Sequence, residues 1–180
     1  TLSQDGKVIA TNLLLSPKPR AADYYVNNSS WLTISDVANG MKVASLNSPS
    51  YRNPTANKSG YTLPAGTYHL HAELPEISGT DWMDMICGFW GYIAPYPNSI
   101  SDGVVDYDVT LNAAMPSTPL QIKTPLDGYS VWSHIGLYTA SDWAAMQALG
   151  ITWFSGDSFP LVDSFPLVDS YANVSIRGAF

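Results

Sequence analysis

Residues 67–74 read Thr-Tyr-His-Leu-His-Ala-Glu-Leu and alternate polar with apolar side chains along their whole length. Side chains of a β-strand point in turn to the two faces of its sheet, so this spacing predicts a strand with one apolar and one polar face. The apolar face runs from Tyr68 to Leu74 and is predicted to lie against a hydrophobic core. The polar face runs from Thr67 to Glu73 and is predicted to be exposed to solvent.

Short apolar or alternating segments on both sides of this strand predict about eight to ten strands in total. Thirteen glycines and thirteen prolines separate them, and Asn39-Gly40 is a dipeptide typical of tight hairpin turns. Residues 47–60 are rich in Asn, Ser and Pro and are predicted to form a long loop. The predicted strand regions are residues 8–15, 31–34, 41–46, 67–74, 85–93, 104–111, 120–124, 131–138, 151–154 and 172–179.

One segment has the spacing of a helix. Residues 143–149 place apolar side chains three apart, on one face that can dock on a sheet. Ser141-Asp142 is predicted to cap the start of this helix, and Gly150 is predicted to end it. The pattern as a whole predicts an all-β fold, a two-sheet antiparallel sandwich of jelly-roll type with one short helix, in a single domain spanning residues 1–180.

Charge and hydropathy exclude several classes of partner. The chain carries 15 acidic and 8 basic residues, a formal net charge of -7, and no run of Lys or Arg. Nucleic-acid binding depends on a basic surface that neutralises phosphates, so no nucleic-acid partner is predicted. No apolar run approaches the ~20 residues of a membrane-spanning helix, so no membrane span is predicted. The single cysteine, Cys87, lies in an apolar run and is predicted to be buried.

A short duplication lies near the end of the chain. Residues 158–163, Ser-Phe-Pro-Leu-Val-Asp, recur at once as residues 164–169. Pro160 and Pro166 favour an extended segment, so residues 158–169 are predicted to form a duplicated extended arm. A neutral duplication is the simpler interpretation, and an arm that reaches a neighbouring subunit of a homo-oligomer is the alternative.

Sequence motifs of catalysis are absent. The chain has no Gly-x-Ser-x-Gly elbow, no phosphate-binding loop and no His-Glu-x-x-His pattern. A glycan hydrolase would need two carboxylates at a defined separation, and the sequence offers only scattered ones. The chain is therefore predicted not to be an enzyme.

Two groups of residues have the composition of metal ligands. His69 and His71 are two apart on one strand face and could share a metal with Glu73 or His134. The simpler interpretation of that face is an exposed polar surface.

The second group is acidic and consists of Asp102, Asp106 and Asp108. Asp106 and Asp108 share a strand face and Asp102 lies in the preceding turn. Hard oxygen ligands at this spacing suit a structural Ca²⁺ ion, whereas solvated acidic side chains are the simpler interpretation.

Aromatic residues provide the stronger indication of function. Flat rings exposed near turns can stack on the apolar faces of sugars or anchor protein interfaces. Rings in loops rich in Asn, Ser, Pro and Asp are predicted to bind ligand: Tyr51, Trp82 and Tyr96. Four tryptophans in predicted strands or in the helix are assigned to the core: Trp90, Trp132, Trp143 and Trp153.

Three motifs together suggest a family. Residues 11–17 read Thr-Asn-Leu-Leu-Leu-Ser-Pro, and residues 63–68 read Leu-Pro-Ala-Gly-Thr-Tyr. The third motif spans residues 138–157, which begin Tyr-Thr-Ala-Ser-Asp-Trp and end Ala-Leu-Gly-Ile-Thr-Trp-Phe-Ser-Gly-Asp. The chain resembles the carbohydrate-binding-module-like jelly-roll domains of minor tail proteins and other virion proteins of phages that infect Gram-positive hosts. It departs from their pattern at Ser155, where these domains usually have Asp, and it lacks the Trp-Thr-Gly segment that often follows.

This resemblance implies a function without catalysis. The expected role is a structural and adhesion module of a bacteriophage virion, associated with the tail and in contact with host-surface carbohydrate. Other virion proteins are the expected partners, and the chain is expected to form a homo-oligomer. The alternative is a decoration or cementing protein of the capsid or tail that acts only through protein–protein contacts. The resemblance assigns no catalytic residue.

Overall fold

β-strands dominate the computed structural model, which describes residues 2–4, 7–14, 18–26, 29–46, 55–82 and 84–154. One α-helix, α1, spans Ala140–Ala148, and two 3₁₀ turns span Ala21–Asp23 and Pro97–Ser99. The strands are β1 Leu2–Gln4, β2 Lys7–Ala10, β3 Tyr25–Val26, β4 Leu32–Val37, β5 Gly40–Ser45, β6 Thr55–Leu63, β7 Gly66–Glu73, β8 Glu76–Ser78, β9 Cys87–Gly88, β10 Ile100–Ser101, β11 Val104–Leu111, β12 Met115–Lys123, β13 Tyr129–Trp132 and β14 His134–Thr139.

These strands form three four-stranded sheets and one separate pair. Sheet I has the order β10–β11–β7–β14, sheet II the order β3–β6–β12–β9, and sheet III the order β4–β5–β13–β8, while β1 pairs with β2. The pairings are antiparallel. The predicted class, β-strands in antiparallel sheets with one helix, is confirmed at this level.

Apolar side chains of all three sheets meet in one core. Strand β7 contributes Tyr68, Leu70 and Ala72, each at most 3% exposed, as its alternation predicts. Sheet II adds Ile122 and sheet III adds Val43, both fully buried. Burial of a side chain of this size stabilises the fold by about 1.5–3 kcal/mol, so this shared core holds the sheets together.

The apolar run at residues 85–93 does not form the single continuous strand predicted for it. Only Cys87 and Gly88 are in a strand, and the chain then reverses between Phe89 and Ile93. The Phe89 amide donates to the Ile93 carbonyl at 2.7 Å, and the Ile93 amide donates to the Phe89 carbonyl at 2.9 Å. Gly91, inside the turn, has φ of 79°, a conformation that glycine adopts without steric cost. Cys87 itself is buried as predicted, and burial raises the pKa of its thiol to about 12.

Other predicted boundaries also shift. The single strand predicted for residues 131–138 is two strands, β13 and β14, which belong to different sheets. Part of the loop predicted for residues 47–60 is strand β6, because it pairs with β12 over most of its length. Residues 151–154 are not a strand, although three of their four side chains are buried. The predicted arm at residues 158–169 and the predicted last strand at 172–179 lie outside the described residues.

Helix α1 starts at Ala140, three residues before the predicted start at residue 143. The Thr139 hydroxyl caps it by accepting a hydrogen bond from the Asp142 amide at 3.1 Å, so Ser141 and Asp142 lie in the first turn. Gly150 follows the helix with φ of 69°, as predicted for a helix end. Met146 is buried in a second, smaller core cluster with Phe154 beneath the helix. Among the described residues, no helix has the length and apolar character that crossing a membrane would require.

Asn12 ties the beginning of the chain to this helical region. Its side-chain oxygen accepts hydrogen bonds from the Leu14 and Leu137 amides, and its amide nitrogen donates to the Phe154 carbonyl. Nearby, the Thr11 amide donates to the Asp142 carboxylate at 3.0 Å. Two of the three motifs noted in the sequence therefore pack against each other.

Candidate functional site

Three exposed aromatic rings lie together beside the reversed chain at residues 89–93. Trp90 is 54% exposed, Tyr92 is 38% exposed and Tyr96 is 55% exposed. We refer to these three residues as the aromatic platform. Together with Gly91, Ala94 and Tyr107 they line an open cavity of about 370 Å³.

Buried residues hold the platform from below. Phe89 and Ile93, at the base of the turn, are fully buried, and the Tyr61 ring packs edge-on against Phe89 at 5.6 Å. The Ile86 amide donates to the Pro95 carbonyl at 2.9 Å, which closes a wider loop around the same turn. The exposed rings are therefore carried by an anchored backbone, and binding a ligand would order little additional chain.

A buried cation lies beside the platform. The Lys123 ammonium is 4.9 Å from the centre of the Trp90 ring, and it forms an ion pair with Asp84 at 2.7 Å. A cation near the face of an indole attracts the ring electrostatically. This contact helps to fix the orientation of Trp90.

The structure brings only one of the three predicted ligand-binding aromatics to this surface. Tyr96 belongs to the platform, whereas Trp82 is partly buried against the main core. Tyr51 lies outside the described residues. The assignment of Trp90 to the core was wrong, because the chain turns where a continuous strand was predicted. The two glycines that flank this residue, Gly88 and Gly91, are the signal that could have identified the turn.

The core assignments of the other tryptophans are borne out to different degrees. Trp132 is fully buried and Trp153 is 6% exposed, as predicted. Trp143 is only partly buried, and it packs on the smaller core cluster from helix α1.

Sheet I carries a second unusual group on the face opposite its apolar side. The antiparallel register places Asp108 opposite His69 and Asp106 opposite His71 on β11 and β7, and Glu73 opposite His134 on β7 and β14. We call these six residues the imidazole–carboxylate cluster. It contains all three histidines of the chain.

The six side chains form one chain of alternating carboxylates and imidazoles. Asp108 Oδ1 is 2.8 Å from His69 Nδ1, and His69 Nε2 is 3.2 Å from Asp106 Oδ1. The same Asp106 oxygen is 2.7 Å from His71 Nδ1. His71 Nε2 is 3.4 Å from Glu73 Oε1.

The last link of this chain joins Glu73 Oε2 to His134 Nδ1 at 2.9 Å. Glu73 therefore uses both of its carboxylate oxygens, one for His71 and one for His134.

Two tryptophans cover this cluster. The Trp143 indole stacks on His69 with ring centres 3.8 Å apart and planes 9° apart, and the Trp153 indole stacks on His134 at 4.0 Å. The side chains of His69 and His71 are only 5% and 4% exposed. The predicted exposure of this strand face was therefore wrong, because helix α1 and the segment after it pack over it.

Hydrogen bonds within the cluster favour the charged forms of His71, Asp106 and Glu73. Burial alone would lower the pKa of His71, but its hydrogen bonds to Glu73 and Asp106 outweigh burial and raise it. Burial likewise opposes the change at Asp106, whose pKa is lowered by its hydrogen bonds to His71 and His69. Hydrogen bonds with His134 and His71 lower the pKa of Glu73. The carboxylates of Asp106 and Glu73 thus favour the ionised form at neutral pH.

The three aspartates predicted to hold Ca²⁺ occupy different surroundings. Asp102 is exposed in the turn before β11, with φ of 50°. Asp106 and Asp108 share one strand face, as predicted, and each contacts an imidazole. In the part of the chain that the structure describes, the group whose potential metal-ligand atoms all lie within 4.8 Å of one another consists of His69, His71 and Asp106.

Neither protein families, nor curated proteins, nor solved structures yield a match to this chain.

Proposed function

We propose that this chain is a non-catalytic carbohydrate-binding module, an adhesion part of a bacteriophage virion that contacts sugar on the host surface. The observation that carries the proposal is the aromatic platform of Trp90, Tyr92 and Tyr96, with its three exposed rings around one cavity. Exposed rings of this kind offer flat apolar area and a polar edge, which match the two sides of a sugar ring.

The size and stiffness of the platform support a saccharide ligand. The cavity volume of about 370 Å³ lies at the lower end of the range for small-ligand pockets, about 300–1,000 Å³. Its open shape suits a segment of a longer chain better than an enclosed metabolite. Asn98, exposed two residues after Tyr96, offers an amide to sugar hydroxyls.

The virion setting is supported by the resemblance of three motifs of this chain to those of phage tail domains. Residues 11–14 and 138–154, which hold the described parts of the first and last motifs, are joined through Asn12 and Asp142. The finer fold type, a two-sheet jelly-roll sandwich, belongs to the same proposal. It is supported by antiparallel sheets that bury their apolar faces in one core, and it requires two of the three four-stranded sheets to lie in one layer.

The test is a binding measurement with polysaccharide from the cell walls of Gram-positive bacteria. Removal of the Trp90 ring by Trp90→Ala is expected to weaken binding about tenfold or more, since a central aromatic contact contributes at least ~1.4 kcal/mol. Tyr25→Ala is the matched control, because Tyr25 is 52% exposed and lies outside the platform. It is expected to bind as the wild type does.

Equal affinity of the Trp90→Ala variant and the wild type would contradict the assigned surface. Wild-type protein that binds no wall polysaccharide, yet binds a purified phage capsid or tail protein, would favour the decoration role instead. The affinity is measured by isothermal titration calorimetry.

A further inference from the structure

At the centre of the imidazole–carboxylate cluster, hydrogen-bond acceptors outnumber the N–H groups that neutral imidazoles can donate. His69 and His71 each contact a carboxylate through both ring nitrogens, which makes four nitrogen–oxygen contacts. An ionised carboxylate only accepts hydrogen bonds, so each of these contacts needs either a hydrogen or a metal ion on the nitrogen. Two neutral imidazoles supply only two N–H groups for the four contacts.

The outer contacts can take those two hydrogens. Asp108 accepts from His69 Nδ1 and Glu73 from His71 Nε2, which leaves His69 Nε2 and His71 Nδ1 with lone pairs. Both lone pairs then face the same oxygen, Asp106 Oδ1, at 3.2 and 2.7 Å. Three electron-rich atoms at this distance repel one another unless a further proton or a metal ion lies among them.

This arrangement has the surroundings of a metal site as well as its ligands. Metal-binding histidines usually donate their second ring N–H to a carboxylate, which fixes the tautomer and aims the other nitrogen at the ion. Asp108 and Glu73 occupy those positions for His69 and His71. The Trp143 indole stacks on the flat faces of the rings, so it leaves their nitrogen edges free.

We propose that His69 Nε2, His71 Nδ1 and a carboxylate oxygen of Asp106 bind one Zn²⁺ ion, with water as the fourth ligand. Two imidazoles and one carboxylate suit zinc better than Ca²⁺, which prefers six to eight oxygen ligands. The Asp106 side chain is 55% exposed, which gives the ion a path from solvent. The two positive charges of the bound ion also offset two of the three negative charges that the carboxylates of the cluster carry.

The role of the ion is structural. It links β7 to β11 beneath helix α1, so zinc is expected to raise the melting temperature of the chain, and to raise it further as the free zinc concentration increases above the dissociation constant. Asp106 and its two histidine partners on β7 lie on the face of sheet I opposite to Tyr107, which lines the cavity of the aromatic platform, because successive residues of a strand point to opposite faces. Zinc binding and sugar binding are therefore separable.

The test starts from protein stripped with a chelator and measures bound zinc by equilibrium dialysis and mass spectrometry, with thermal melting alongside. We expect one zinc per chain and a higher melting temperature, with no such effect from Ca²⁺. Asp108→Asn is expected to weaken zinc binding about 10- to 100-fold, and Asp106→Asn by more than that. Asp102→Asn is the matched control and is expected to bind as the wild type does.

His71→Gln is the second ligand variant, and because His71 is buried this variant could fail to fold. Asp106→Asn keeps the test decisive in that case, since the Asp106 side chain is half exposed and its replacement disturbs the fold less. Stripped wild-type protein that takes up no zinc at micromolar concentration would overturn the proposal. So would Asp106→Asn and His71→Gln variants that bind zinc as the wild type does. A nitrogen NMR spectrum with protons on all four ring nitrogens of His69 and His71 in excess zinc would show that protons fill the cluster instead.

Discussion

At the scale of single residues, a few polar side chains decide how distant segments meet. Asn12 is 6% exposed and bonds to the backbone of Leu14, Leu137 and Phe154, so one amide links the start of the chain to strand β14 and to the segment after α1. Its sequence neighbourhood shows only a short polar residue in an apolar run. The partners lie some 125 to 142 residues away, and no local pattern could have revealed them.

The Asn12→Ala substitution tests this link. It leaves the Leu14 and Leu137 amides buried without their acceptor, and an unsatisfied buried group costs about 1–3 kcal/mol. The free energy of unfolding in urea is expected to fall by about that amount. Asn112→Ala is the control, because Asn112 is exposed in the turn after β11, and it is expected to change stability by less than about 0.5 kcal/mol. Equal effects of the two substitutions would contradict the assigned role of Asn12.

Histidine placement shows what the sequence could and could not predict. Alternation correctly put His69 and His71 on one face of β7, with Asp106 and Asp108 together on one face of β11. It could not show that the two faces meet, because strand pairing depends on register between segments about 35 residues apart. It also could not show their burial, which depends on Trp143 in a helix that comes much later in the chain.

At the scale of elements, glycines set where the strands stop. The predicted strand at residues 85–93 was wrong because the apolar run was read as one element, while Gly88 and Gly91 both adopt positive φ. Apolar composition predicted burial correctly for Phe89 and Ile93, yet it carries no information on chain direction. The turn between them is what moves Trp90 out of the core and onto the surface.

These two glycines are expected to differ in their tolerance of alanine. A Cβ at Gly91 would meet no atom within 4 Å. Gly91→Ala is therefore expected to lower the unfolding free energy only by the strain of a φ of 79°, about 1–2 kcal/mol. At Gly88 a Cβ would collide with the Ile93 carbonyl oxygen, in addition to the strain at φ of 125°. Gly88→Ala is therefore expected to lower the unfolding free energy more than Gly91→Ala does, as measured by urea denaturation. The reverse order would contradict the described turn.

At the scale of the whole molecule, strand β7 at the middle of sheet I is buried on both of its faces. One face contributes to the core shared by the three sheets, and the other holds the imidazole–carboxylate cluster under α1. Class and approximate strand content could be predicted from alternation and turn residues. The division into three four-stranded sheets could not, because strands such as β13 and β14 are adjacent in sequence and belong to different sheets.

The account depends most on the aromatic platform as the place where ligand binds. Six tryptophans give six indole N–H signals in a nitrogen–proton NMR spectrum, and a titration with wall saccharide reports on each of them. We predict that the Trp90 signal shifts with saccharide concentration while that of Trp132, fully buried in the core, stays in place. A Trp90 signal that does not move when the protein is saturated with saccharide would contradict the account.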